Sequence, residues 1–219
     1  MKPVVVGRRA YDLMYRWWAP WDATGVRADL RALVEDGEVT PATHPRAVDL
    51  GCGTGANAVF LAARGFDVTA IDFSSVALAK AEARAQAAGV GGRCRFLEAD
   101  LTRSTWPADA EGPFDLLVDA STLDDLAPEG RATLAGHIAR IARPGATLLF
   151  WCFYAARDEL PLVSFVGPSR LTPGLEPGEE DALFGAAFDI TLLSRPHKHE
   201  ACFRLQRRAD DPDGAPAGG

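Results

Sequence analysis

The sequence lacks the features that mark membrane spans, disulfide frameworks and metal sites. No run of eighteen apolar residues occurs, so no transmembrane helix and no membrane partner are expected. The apolar stretch at the N-terminus is too short for a secretion signal. The four cysteines stand singly and form no C-x-x-C pair, which indicates buried thiols rather than disulfides or metal ligands. We therefore expect a cytoplasmic protein without a bound metal.

Basic runs are scarce as well. The 219 residues contain 23 Lys and Arg against 30 Asp and Glu, a formal charge of −7. A nucleic-acid-binding surface needs a basic patch, and the densest basic stretch covers only residues 204–208. No nucleic-acid partner is expected, and the length fits one α/β domain with a small addition, either a monomer or a homodimer.

Residues 46–57 (Arg-Ala-Val-Asp-Leu-Gly-Cys-Gly-Thr-Gly-Ala-Asn) carry the most information. An apolar run, a glycine at every second position and an Ala-rich helical pattern predict a strand, a tight turn and a helix, the arrangement that binds nucleotide-like ligands. The third glycine comes one residue too early for the dinucleotide fingerprint G-x-G-x-x-G. Asp49, two residues before the first glycine, would repel a pyrophosphate but attract a cationic ligand.

Three further predicted strands also end near an acid. Residues 66–72 end at Asp72, which lies 21 residues after Gly51, where nucleoside-binding folds place a carboxylate on the ribose hydroxyls. Residues 93–100 end at Asp100, and residues 114–119 end at Asp119. Asp100 alone is equally explained as a helix cap or turn acid, and Asp119 as a solvated loop carboxylate. Four such strand ends in a row at βα spacing favour one ligand site.

The glycine turn with Asp49 resembles motif I of the class I S-adenosylmethionine-dependent methyltransferases, and the chain is most similar to their small-molecule (thiopurine and thiol) groups. The resemblance implies S-adenosylmethionine as cofactor and a small-molecule acceptor. It places Asp72 on the ribose, Phe73 against the adenine, Asp100 near the adenine amino group with Leu101 beside it, and Asp119 near the methyl-transfer centre. The cofactor-binding set predicted in this way is Tyr11, Trp21, Asp49, Gly51, Cys52, Gly53, Gly55, Asp72, Phe73, Asp100, Leu101 and Asp119.

The same resemblance assigns residues 1–44 to an N-terminal helical lid, which precedes the first strand and is rich in aromatic residues. Tyr11 and Trp21 are expected to cover the sulfonium, where a cation–π contact contributes ~0.5–2 kcal/mol. Asp22 is expected in the lid as well. For Trp17 and Trp18, a position in the lid and a position in the core on the sheet edge remain equally open.

The remaining pattern predicts a doubly wound, mostly parallel, seven-stranded α/β sheet with a terminal antiparallel strand pair. Residues 45–208 form the methyltransferase domain, with a buried fifth strand over residues 147–153 after an Arg-Pro-Gly turn. A Pro- and Gly-rich insert at residues 154–187 contains a short helix near residues 179–184 and is expected to shape the substrate pocket. Residues 209–219 are expected to be a disordered tail.

Methyl transfer from a sulfonium requires mainly positioning and desolvation, and a general base only for a weakly acidic acceptor. The candidate catalytic residues are Asp119, Asp124 and Tyr154, with Asp125 beside them. His137, His197 and His199 are better explained as structural or surface residues. The favoured acceptor is small and uncharged or weakly charged, and its acceptor atom (O, N, S or halide) stays open. The alternatives are a non-methylating reaction such as cyclisation or decarboxylation, and a nicotinamide-dependent oxidoreductase.

Overall fold

The computed structural model describes residues 7–209 apart from 18, 20, 23–24, 157 and 160–173. The helices are α1 (Arg8–Trp17), α2 (Ala28–Glu35), α3 (Ala56–Ala63), α4 (Ser75–Ala87), α5 (Pro128–Ile141) and α6 (Glu179–Phe184). The strands are β1 (Arg46–Leu50), β2 (Asp67–Asp72), β3 (Cys94–Glu98), β4 (Phe114–Ala120), β5 (Ala142–Phe153), β6 (Phe188–Ser194) and β7 (Glu200–Arg207).

The strands form one sheet in the order β3-β2-β1-β4-β5-β7-β6. The first five are parallel, whereas β7 runs antiparallel to both β5 and β6. This confirms the predicted doubly wound sheet with its terminal antiparallel pair. The strand order reverses between β1 and β4, and ligands of such sheets bind beyond the carboxyl ends of the strands at that point.

Two hydrophobic layers cover the sheet, one on each face. On one face α2, α3 and α4 contribute Leu30, Phe60 and Leu78. On the other face α5 and α6 contribute Ile138 and Phe184. Because successive side chains of a strand point to opposite faces, the apolar run of β5 supplies both layers at once.

Local sequence signals set several element boundaries. Ser74 caps α4 by accepting a hydrogen bond from the Ala77 N–H at 3.2 Å, as its position before an Ala-rich run predicts. Pro128 occupies the first turn of α5, where its missing N–H is not needed. The prediction for β5 was wrong at its start: the strand begins at Ala142, and the expected Arg-Pro-Gly turn is a register irregularity against β4 within it.

The predicted short helix in the insert is confirmed as α6. Most of the rest of the insert (157 and 160–173) and the tail beyond residue 209 lie outside the described residues. Within the described part of the chain, no helix is long and apolar enough to cross a membrane. Over the same residues, no group of three or more His, Cys, Asp or Glu side chains is placed to hold a metal ion.

Candidate functional site

The glycine turn lies at the carboxyl end of β1, and all three of its glycines have positive φ angles of +66°, +54° and +78°. Each also makes a close approach that a Cβ would prevent. A Cβ at Gly51 would overlap the Thr122 side chain, and one at Gly53 would lie 2.8 Å from the Tyr15 hydroxyl. A Cβ at Gly55 would lie 2.8 Å from Ala81 of α4. Because glycine has no Cβ, the turn can contact the loop after β4, α1 and α4 at the same time.

Asp72 joins the end of β2 to this turn. Its Oδ2 accepts a hydrogen bond from the Gly53 N–H at 2.8 Å, and its Oδ1 accepts one from the Ser74 N–H at 2.8 Å. Burial raises the pKa of Asp72, and hydrogen bonds from Ser74 and Gly53 lower it. A carboxylate has about four acceptor positions. The backbone N–H groups do not fill all of these positions, so Asp72 can also accept from ligand hydroxyl groups, which fits the predicted role on a ribose.

Asp49 is a buried carboxyl next to the turn, and its Oδ2 has no hydrogen-bond partner among the described residues. Burial, and then the charge of Asp119, raise the pKa of Asp49 to about 7, while a backbone hydrogen bond from Ala58 lowers it. An unpartnered buried carboxylate oxygen is costly in a folded protein unless a ligand satisfies it. A cationic group fits this oxygen, as the sequence predicted for Asp49.

Helix α1 covers the turn with aromatic side chains. Tyr11 makes edge contacts with Phe73 at 5.3 Å and with Trp21 at 5.8 Å between ring centroids. Tyr15, which the sequence analysis did not single out, is buried beside Gly53, and its hydroxyl accepts a hydrogen bond from Trp21 Nε1 at 3.2 Å. Tyr15 follows Tyr11 by four residues, so helical periodicity was the signal that could have found it.

Polar contacts fix α1 and the residues after it over the site. Asp12 accepts a hydrogen bond from the Ser74 hydroxyl at 2.5 Å, and Lys80 donates to the Tyr15 carbonyl oxygen. Asp22 accepts from the Thr54 hydroxyl within the glycine turn. Trp17 is the last residue of α1 and is 82% exposed, so it does not lie in the core, and Trp18 lies outside the described residues.

Asp100 and Leu101 follow β3. Asp100 is exposed and accepts hydrogen bonds from the Thr102 N–H at 2.9 Å and the Thr102 hydroxyl at 2.6 Å. These contacts are those of a turn acid, the alternative interpretation of Asp100. Leu101 and Cys52 are buried, and the Cys52 N–H donates to the Ile71 carbonyl oxygen at 2.9 Å.

The end of β4 and the loop after it carry the three candidate carboxyl groups. The Asp119 carboxylate is buried and accepts backbone hydrogen bonds from Thr122 and Leu123. Burial raises its pKa to about 7. Asp124 Oδ2 accepts from the Phe153 N–H at 2.9 Å, while its buried Oδ1 has no partner among the described residues. Asp119 thus shapes the loop, and Asp124 keeps one oxygen for another group.

Asp125 connects this loop to the lid. Its Oδ2 accepts a hydrogen bond from the Tyr11 hydroxyl at 2.6 Å. Burial raises the pKa of Asp125, whereas the bond from Tyr11 and the charge of Arg131 lower it. Burial and the neighbouring Asp125 raise the pKa of Asp124 well above its ordinary range. In this pair, Asp125 therefore carries the negative charge more readily than Asp124.

The other candidate residues have structural partners. The Tyr154 hydroxyl donates to Glu180 Oε1 at 2.7 Å, on the face of the sheet covered by α6. His137 is buried and its Nε2 lies 2.8 Å from the Arg103 carbonyl oxygen, in agreement with a structural role. His199 lies in the turn between β6 and β7, where its carbonyl oxygen accepts a hydrogen bond from the Tyr154 N–H at 2.8 Å.

Residues 47–145 match a family model described as a methyltransferase domain. The chain is 46% identical over 79 residues to the release factor glutamine methyltransferase of Chlorobaculum tepidum, covering 35% of this chain and 27% of that protein. It is 28% identical over 134 residues to the 2-heptyl-1-hydroxyquinolin-4(1H)-one methyltransferase of Mycobacteroides abscessus, covering 61% and 56%. The matches thus span between about a quarter and just over half of these two relatives.

A solved structure shows the same fold. The N-methyltransferase NodS from Bradyrhizobium japonicum, in complex with S-adenosyl-L-homocysteine, superposes with a TM-score of 0.68 at 17% identity, covering 91% of this chain and 97% of that one. The superposition extends the likeness in fold beyond residues 47–145 to most of the chain.

Proposed function

We propose that this chain, which belongs to the class I S-adenosylmethionine-dependent methyltransferases, transfers a methyl group to a small-molecule acceptor. One observation carries the proposal. A buried oxygen of Asp49 without a hydrogen-bond partner lies next to the glycine turn, to which Asp72 is hydrogen-bonded. Asp49 can therefore bind a cationic group beside the carboxylate of Asp72, which can accept from ribose hydroxyls. S-adenosylmethionine combines both groups and supplies an electrophilic methyl group on a sulfonium.

The residues that would hold this cofactor lie on three neighbouring strand ends and on α1. We assign Asp49 to the ammonium, Asp72 to the ribose and Phe73 to the adenine face, with the backbone of the glycine turn beneath. Tyr11, Tyr15 and Trp21 form an aromatic cover whose faces attract a sulfonium. Asp100 and Leu101 remain proposed adenine contacts, although the present hydrogen bonds of Asp100 are to Thr102.

Positioning and exclusion of water are expected to supply most of the rate. Among the three carboxyl groups after β4, Asp124 is the proposed proton acceptor, because its Oδ2 is held by Phe153 and Ser121 while Oδ1 is unpartnered. A carboxyl with a raised pKa is a stronger base once ionised, so its contribution grows with pH. Asp119 and Tyr154 are proposed to shape the acceptor side through their bonds to the β4 loop and to Glu180.

The insert and the lid are proposed to define the acceptor pocket. The similarity to a hydroxyquinolone methyltransferase supports a small-molecule acceptor. The chain's charge of −7 is also unsuited to a nucleic-acid acceptor. The proposed acceptor atom is an oxygen, a nitrogen or a sulfur of that molecule.

Two measurements test the proposal. Isothermal calorimetry with S-adenosylmethionine and with NADH should show binding of the first and not the second. The reverse result would contradict the proposal and favour an oxidoreductase. Incubation with labelled S-adenosylmethionine and a panel of phenols, thiols and amines should produce S-adenosylhomocysteine and a labelled acceptor. Cofactor binding with no S-adenosylhomocysteine from any member would favour a non-methylating reaction.

A further inference from the structure

Arg27 and Trp151 form a stacked pair at the carboxyl edge of the sheet. The guanidinium carbon of Arg27 lies 3.8 Å from the centroid of the Trp151 ring. Arg27 directly precedes α2. Its backbone N–H donates a hydrogen bond to Oδ1 of Asn57, in the first turn of α3, at 3.2 Å. The Trp151 carbonyl oxygen accepts from the Ser121 N–H at 2.9 Å in the loop after β4. The pair therefore lies between the glycine-turn helix and the loop that carries Asp124.

Arg27 differs from Arg64, which also lies close over an aromatic ring. Arg64 lies 3.7 Å from the centroid of Phe60 and also pairs with Glu35 Oε1 at 2.8 Å. In the described part of the chain, no carboxylate lies within ion-pair distance of Arg27, and no acceptor is hydrogen-bonded to its guanidinium. The guanidinium N–H groups of Arg27 therefore have no hydrogen-bond acceptor among the residues that the structure describes.

The surroundings of Arg27 favour a ligand with a carboxylate. Burial lowers the pKa of Arg27, while the charges of Glu200 and Asp124 raise it, and an arginine in a protein stays charged. Stacking on Trp151 fixes the plane of the guanidinium, and its N–H groups point outward within that plane. A carboxylate matches this arrangement with two parallel hydrogen bonds.

The neighbouring side chains favour an apolar or aromatic body on that ligand. Phe153 is 37% exposed, and its ring centroid lies 5.5 Å from that of Trp151. The Trp151 ring is buried under Arg27, so the exposed part of Phe153 is the apolar surface beside the cation.

We propose that Arg27 determines acceptor specificity by binding a carboxylate of the acceptor, whose apolar or aromatic body lies on Phe153. The acceptor class is therefore a small organic acid with a single negative charge. This inference rests on the proposed function, because it assigns the Arg27–Trp151 pair to the acceptor side of the methyl-transfer site.

A titration followed at Trp151 tests the inference. In ¹⁵N-labelled protein saturated with S-adenosylhomocysteine, the Trp151 indole resonance is assigned from its absence in Trp151→Phe. Benzoate and benzamide are then compared, since they differ mainly in charge. We expect benzoate to shift this resonance with a dissociation constant at least about tenfold lower than that of benzamide, because charge-assisted hydrogen bonds are the stronger ones. In Arg27→Met the two constants should agree within about twofold.

The matched control is Arg64→Met. Arg64 lies 3.7 Å from a ring centroid, close to the 3.8 Å of Arg27, but away from the strand ends. Arg64→Met should keep the preference for benzoate. Thermal unfolding and S-adenosylhomocysteine affinity of Arg27→Met establish that this variant is folded. Equal binding of benzoate and benzamide to the wild type, no shift with benzoate, or a preference that survives in Arg27→Met would each overturn the inference. Absence of S-adenosylhomocysteine binding by the wild type would instead contradict the proposed function.

Discussion

Among single residues, Asp72 links the glycine turn to the proposed ribose site through two backbone hydrogen bonds of 2.8 Å. Replacing it with alanine removes both bonds and the remaining acceptor positions for ribose hydroxyls. We expect Asp72→Ala to weaken S-adenosylmethionine binding by ~1–3 kcal/mol, measured by calorimetry. Asp67→Ala, at the exposed start of the same strand, is the control and should leave affinity unchanged. Unchanged affinity in Asp72→Ala would show that β2 does not hold the ligand.

The raised pKa of Asp49 predicts that cofactor binding depends on pH. In the free protein its pKa is raised to about 7 by burial and by Asp119, so the carboxyl is largely protonated at pH 6. A bound cation favours the ionised form, so binding below pH 7 releases a proton. We therefore expect affinity for S-adenosylmethionine to rise by up to about tenfold per pH unit as pH increases from 5.5 towards 7. Calorimetry over this range measures it, and Asp49→Asn should remove the dependence. A flat profile in the wild-type protein would contradict the assignment.

Gly53 tests how closely α1 approaches the glycine turn. Its φ of +54° and the Tyr15 hydroxyl, 2.8 Å from the position of a Cβ, leave no room for a side chain. We expect Gly53→Val to abolish detectable cofactor binding and to expose α1 to proteolysis, because valine rarely adopts positive φ and would displace Tyr15. The control is Gly25→Val, because Gly25 also has a positive φ but open space around the position of a Cβ. Normal binding by Gly53→Val would exclude a close contact of the ligand with the turn.

At the level of elements, α1 is held over the site by the hydrogen bond from Tyr11 to Asp125, at 2.6 Å. Tyr11→Phe keeps the ring contacts with Phe73 and Trp21 and removes only this bond. We expect S-adenosylhomocysteine to dissociate about fivefold to thirtyfold faster, equivalent to ~1–2 kcal/mol. Stopped-flow fluorescence measures the rate, and Trp17→Ala, on the exposed side of α1, should leave it unchanged. An unaltered rate in Tyr11→Phe would mean that α1 does not retain the ligand.

The elements that sequence reasoning located well are those specified by adjacent residues. The glycine turn, the cap at Ser74 and the apolar run of β5 each depend on a few neighbouring positions, and the structure has all three. The start of β5 at Ala142 was not predictable in this way, because its extended residues before Thr147 pair with β4 through an irregular register. That boundary is set by the pairing of Ala142 with Phe114, a residue distant in sequence, which local turn propensity does not take into account.

The same limit explains which site residues were missed. Asp49, Asp72 and the three glycines stand at recognisable spacings, whereas Arg27 and Arg131 have no motif around them. The positions of these two arginines matter only because the fold brings distant residues to them, such as Trp151 for Arg27 and Gly174 for Arg131. Asp100 was found by its position after β3, and the structure places it beside Thr102 and Arg103.

Across the whole molecule, Arg131 connects the loop after β4 to the insert and α6. Its side chain is 4% exposed, and it donates to the carbonyl oxygens of Asp124, Leu126 and Gly174. Its Nη1 also pairs with both carboxylate oxygens of Glu179, at 2.9 and 3.0 Å. The proposed acceptor side is therefore held together by one buried cation, and its loss affects folding as well as the site.

We expect Arg131→Met to lower the free energy of unfolding by ~3–5 kcal/mol, because it leaves buried carbonyl oxygens and Glu179 without their donor. Urea denaturation should show a lower midpoint with an unchanged slope. The control is Arg31→Met, which removes an exposed ion pair with Glu35 and should change stability by no more than ~0.5–1 kcal/mol. A loss in Arg131→Met as small as that of the control would mean that the segments around Arg131 are held by other contacts. Since methionine fills a similar volume, a large loss would instead arise from the polar groups themselves.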